Sequence, residues 1–160
     1  MAMMSRMICV ALLATLSLTL SCGRLSTEPE DLLPVRIIYS ENLDFHLDRG
    51  GTETINSQQR WQQVWNEIHP GDLAGPLLPV VDFSRESVLW IAQGRQLTGC
   101  LSYRIRQAVR DGRHVVIDVR EQRPGPECVC VDRADFVLLA AIPVPNAQTE
   151  FRISTELHCD

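Results

Sequence analysis

Two unbroken apolar runs, Val88-Leu89-Trp90-Ile91-Ala92 and the stretch from Phe136 to Ile142, constrain this chain most. A short run with no polar residue in it has no side to turn to water, so each predicts a strand covered on both faces. Softer strand patterns surround them between Val80 and Ile153. Leu101, Tyr103, Ile105 and Val109 alternate with Ser102, Arg104, Arg106 and Ala108. Val115, Ile117 and Val119 alternate with His114, Val116, Asp118 and Arg120. Period-two alternation buries one face only. Arg110-Asp111-Gly112-Arg113 between them reads as a tight turn, because Gly and Asp tolerate positive φ. Cys100 to Glu121 is therefore expected to be a hairpin with one wet face. Phe151 and Ile153, alternating with Arg152 and Ser154, predict a last strand, and Val35 to Tyr39 a first one.

One segment keeps helical rather than strand period. Trp61, Val64, Trp65 and Ile68 form a single apolar stripe, with Arg60, Gln62, Gln63, Asn66 and Glu67 on the other side. Asn56 with Gln59 suggests a cap pair, and His69-Pro70-Gly71 a stop. Two tryptophans on one stripe could make a sugar platform, but packing against a sheet is the commoner use of such a stripe. The expected class is α+β: a small, largely antiparallel sheet with one packed amphipathic helix.

The N-terminal part reads differently. Met7 to Leu20 is apolar and small after a single arginine, too short for a permanent membrane span, and predicts a signal peptide over residues 1–21. Its end, Leu18-Thr19-Leu20-Ser21-Cys22, resembles a bacterial lipoprotein signal, with Thr19 where such signals usually carry leucine. That resemblance implies Cys22 as the lipidated residue, carrying palmitate-type chains that anchor the protein to a membrane; two or three chains hold durably where one is marginal. Residues 22–34, polar and flanked by proline, predict a tether. Residues 35–160 form the one globular domain.

An exported chain folds in an oxidising space. With Cys9 in the signal and Cys22 lipidated, Cys100, Cys128, Cys130 and Cys159 remain, an even set that predicts disulfides. Cys128–Cys130 is the disfavoured pairing, because residues two apart on a strand point the same way. The expectation is one bridge from Cys100 to Cys128 or Cys130, and a second from the remaining sulfur to Cys159. The alternative is a soft-metal site of Cys128, Cys130, His158 and Cys159, although Cys-Val-Cys is tighter than the usual knuckle spacing. A thiol-redox role lacks its Cys-x-x-Cys.

All 15 basic residues are arginine, so lysine-based chemistry is excluded. A net charge of −5 with scattered arginines argues against nucleic acid. His46, His69, His114 and His158 fall on dissimilar segments, and Ser84 and Ser102 lack a nucleophile-elbow context. Asp82 sits before a buried strand, where a carboxylate more often caps a turn than abstracts a proton. No catalytic residue and no cofactor is expected.

Trp61 to Ile153 resembles the C-terminal domain of the PrcB family, subunits of a bacterial surface protease complex and their lipoprotein relatives. The matching elements are the tryptophan-bearing helix, Val81-Asp82-Phe83-Ser84, the Val88 to Gly94 strand, Thr98-Gly99, the strand that follows it and the proline-flanked Phe136 to Pro143 strand. Cys100 and Leu101 stand where the family has a second glycine and a tyrosine, and Cys128 and Cys130 are additions. The resemblance implies a non-enzymatic, exported accessory domain, with a protein partner in the cell envelope and no assigned small molecule.

Overall fold

The structure is a computed structural model that describes residues 31–71, 76–94, 100–112, 114–129 and 135–158. The signal segment, Cys22, most of the tether, Thr98-Gly99, Cys130 and Cys159 lie outside the described residues.

Among the described residues, eight strands form two four-stranded sheets, with one helix. In chain order they are β1 (Asp31–Leu32), β2 (Arg36–Asn42), β3 (Gly51–Ile55), α1 (Gln58–Ile68), β4 (Ser87–Ala92), β5 (Ser102–Asp111), β6 (His114–Pro124), β7 (Phe136–Ile142) and β8 (Gln148–His158). One sheet runs β1-β5-β6-β8 and the other β2-β7-β4-β3. All pairings are antiparallel except β6 with β8. The protein is thus α+β and largely antiparallel, with its strands divided between two sheets.

The division explains the two apolar runs. The β2-β7-β4-β3 sheet is a middle layer. Val88, Trp90, Ala92, Val137 and Leu139 join Trp61, Val64, Trp65 and Ile68 in a core on the helix side. Leu89, Ile91, Leu138 and Ile142 join Val115, Ile117 and Val119 in a second core between the sheets. Every residue of β4 and β7 is buried. Each methylene so removed from water contributes about 0.8 kcal/mol, which makes these strands the main source of cohesion.

Several local expectations are corrected. The helix is capped by Ser57, whose Oγ accepts from the Arg60 amide, while Asn56 donates instead to the Ala147 carbonyl. The alternation of β5 slips at a bulge between Ile105 and Gln107, so Ala108 is buried where Val109 was expected. An extra residue inverts every side chain beyond it. The end of the supposed tether is structured, since Asp31 and Leu32 pair with Arg110 and Val109, and Leu33 and Val35 pack on the second core. The last strand is far longer than the Phe151 to Ser154 pattern, and mostly exposed. Asp82 does cap a turn: Oδ1 accepts from the Ser84 amide and hydroxyl, and its carbonyl from the Arg85 and Glu86 amides.

Candidate functional site

The helix side of the middle sheet carries two neighbouring clefts built on the loop after β2, residues 43–50. Leu43 and Leu47 of this loop are core residues. What pins it is Asp135, just ahead of β7 and 1% exposed. One carboxylate oxygen accepts from the Leu47 amide at 2.6 Å, and the other lies 3.1 Å from His46 Nδ1. The Asp135 carbonyl accepts from the Leu43 amide at 2.8 Å. The far end of the loop is fixed by backbone packing of Gly50 on Gly94, whose φ of +67° suits glycine. Arg49 then lies over the Trp90 ring, 4.0 Å from its centre.

The first cleft, about 520 Å³, is lined by Phe45, His46, Asp48, Arg49, Asn66, Glu67 and their neighbours. Its arginine and glutamate are engaged with one another and with Glu53 and Arg60. Arg49 pairs with Glu53 at 2.7 Å and reaches Glu67 at 3.7 Å. Arg60 binds both oxygens of Glu53 and, at 3.0 Å, Glu67. Burial first, and then the charge of Glu67, raises the Glu53 pKa above the ordinary carboxylate range. Two arginines and two glutamates thus neutralise one another. His46 and Asp135 are arranged as a base and its orienting carboxylate, but no serine or cysteine hydrogen-bonds this histidine among the described residues. Ser84 is bound to Asp82 and Ser102 to Gln122, and neither lines this cleft.

The second cleft, about 620 Å³, has a different character. Tyr39 from β2 stands edge-on to Trp65 and His69 of the helix end, at 5.9 and 5.5 Å between ring centres. Trp65 and His69 are 4.4 Å apart and tilted. The indole N–H groups of Trp61 and Trp65 donate to the carbonyls of Pro79 and Pro76, at 2.9 and 3.0 Å. Both tryptophans are thereby fixed, and the proline segment forms one wall of the cleft. Exposed Glu41 and Asp44 line it as well. Among the described residues neither enters an ion pair. Tyr39 feels them: partial burial, then the charge of Glu41 and its hydrogen bond, then Asp44, raise its pKa.

The other acidic cluster is structural. At the far end of β6, Glu121 accepts from Arg123 at 2.7 Å, Thr155 at 2.9 Å and Tyr103 at 3.3 Å. Burial acts to raise its pKa, but the hydrogen bonds from Arg123 and Thr155, the Arg123 charge and the Tyr103 bond together hold it below the ordinary value. Burial, followed by the Glu121 charge, pushes Tyr103 up to about 12.

The sequence-derived candidates are dispersed. His46 lies in the loop after β2 rather than on a strand, His114 on the exposed hairpin and His158 at the end of β8. Cys100 and Cys128 are disulfide-bonded. Cys128 Sγ is 3.4 Å from the carbonyl oxygen of His158, the residue before Cys159. No three metal-ligating side chains cluster among the described residues. Asp135, Glu41 and Asp44 escaped the sequence reading. Asp135 carries the same signal as Asp82, an acid abutting a fully buried strand. No protein-family model, curated protein or solved structure matches this chain.

Proposed function

We propose that this protein is a non-enzymatic binding domain of the cell envelope, anchored through lipid on Cys22, whose second cleft takes a basic side chain of a protein partner. The observation that carries the binding reading is the pairing of an aromatic wall with Glu41 and Asp44, carboxylates engaged by no cation among the described residues. A guanidinium or alkylammonium group is attracted by ring faces and by carboxylates at once, with about 0.5–2 kcal/mol from each favourable ring contact.

The anchor rests on the leader sequence, since no helix among the described residues is long and apolar enough to cross a membrane. Resemblance to PrcB-type domains supports an accessory role beside an envelope protease complex. Tryptophan fluorescence tests the cleft. Arginine-containing peptides should perturb the emission saturably, Glu41→Gln with Asp44→Asn should weaken binding about tenfold, and glutamate-containing peptides should do nothing. Equal response to acidic and basic peptides would refute the cleft's role. Cys22→Ser should release the protein from the membrane fraction, and retention there would refute the anchor.

A further inference from the structure

We propose that the protein self-associates through the outer edge of β8, two copies pairing antiparallel about Ser154. β8 lies parallel to β6 in unbroken register, from His114 with Gln148 to Pro124 with His158. No described strand pairs with its other side; near its start a Thr54–Thr149 side-chain hydrogen bond ties it to β3. The His158 carbonyl accepts from the Gly125 amide, so His158 turns its backbone groups toward β6. Alternation along a strand then turns Glu150, Arg152, Ser154 and Glu156 the same way. Thr149, Phe151, Ile153, Thr155 and Leu157 point their N–H and C=O groups outward. Natural edges are blunted by proline, bulges, shortness or charged side chains. This one has no proline or bulge over its whole length, and its charges are of both signs. Ile153 and Leu157, on the face shared with the core residue Val119, are 50% and 65% exposed.

Charge selects a second copy as the occupant and sets the register. Centred on Ser154, antiparallel pairing sets Arg152 opposite the partner's Glu156, twice by symmetry. It also sets Phe151 opposite the partner's Leu157. Centring on Ile153 sets Glu150 against the partner's Glu156, and centring on Thr155 sets Glu156 against the partner's Ser154 and leaves Arg152 facing no acid. Opposite charges facing one another stabilise a ladder and like charges destabilise it, so the Ser154 register wins. Arg152 is already 2.7 Å from Glu150, and Glu156 is 2.8 Å from Arg120. Pairing links these into one row of alternating charge, and two four-stranded sheets into one.

Sedimentation velocity of the full chain in mild detergent tests this. The wild type should be a dimer. Arg152→Glu and Glu156→Arg should each raise the dissociation constant about tenfold or more, because each makes two opposed pairs repulsive. The double exchange should restore dimerisation. A monomeric wild type, or a double variant no better than the singles, overturns the proposal. Ser154→Cys supplies a reading independent of charge. Facing residues of a non-hydrogen-bonded pair lie about 4.5 Å apart at Cα, within disulfide reach. A covalent dimer on a non-reducing gel is expected, and its absence overturns the register.

Discussion

Replacing Asp135 by alanine should be among the costliest single substitutions outside the apolar core. The carboxylate is 1% exposed and accepts the Leu47 amide at 2.6 Å, in a loop whose Leu47 is itself only 6% exposed. Alanine leaves that N–H buried without a partner, and losing a charged acceptor there costs about 2–3 kcal/mol. His46 loses its partner too, but it is 36% exposed and regains water, so this part adds about 0–1 kcal/mol. The expected sum is about 2–4 kcal/mol, a substantial share of the 5–15 kcal/mol that holds a typical domain. The Leu43 contact uses the Asp135 backbone carbonyl and survives. Asp135→Asn keeps an acceptor for Leu47 and should cost about half as much. His46→Ala should cost about 1 kcal/mol or less. Urea unfolding of the oxidised protein measures all three. An Asp135→Ala loss below about 1 kcal/mol, or one no larger than that of His46→Ala, would refute the view that this carboxylate holds the loop.

Acid stability should depend on Glu121: its folded pKa lies below the ordinary 4.5, so its contribution is full above that value and is lost as pH falls through the folded one. Urea midpoints taken from neutral pH downward should therefore fall more steeply for the wild type than for Glu121→Gln. A non-reduced digest should give Cys128 joined to Cys159 and Cys100 joined to Cys130, because Cys128 sits beside His158; Cys128 joined to Cys130 would contradict the packing. Gly94→Ala should lose about 2–4 kcal/mol in thermal or urea unfolding, since the added carbon meets the Gly50 backbone and φ is +67°.

The strands with uniform polarity were legible in the sequence, and so was the tryptophan stripe. A short apolar run with no polar residue has no side to turn to water, and Val88 to Ala92 and Phe136 to Ile142 are buried along their whole length. What the sequence left hidden was set by tertiary pairing. The bulge after Ile105 is a one-residue slip that local alternation does not record. β8 reads as a short strand because only Phe151 and Ile153 show the apolar period, whereas its length is dictated by β6 beside it. The second cleft depends on Tyr39, Glu41 and Trp65 meeting across the loop and helix, and no local window of sequence contains them all. Cysteine count pointed to an oxidised domain, but proximity of Cys128 to His158 follows only from the parallel strand.

The strand order has a further consequence in time. Arg36 pairs with Ala141, Asp31 with Arg110, and His114 with Gln148. A chain delivered N-terminus first therefore holds β1 idle until β5 has emerged and β2 until β7, and the sheet that ends in β8 is complete only once β8 itself has emerged. Such long-range closure has a high contact order and folds slowly, because entropy is lost across large loops before contacts reward it. β3 with β4 and β5 with β6 can pair early, but both cores stay open until β7 supplies Val137 and Leu139 to one and Leu138 and Ile142 to the other. The export proposed above would therefore move a chain whose two cores are still unclosed, and leave their closure to the far side of the membrane.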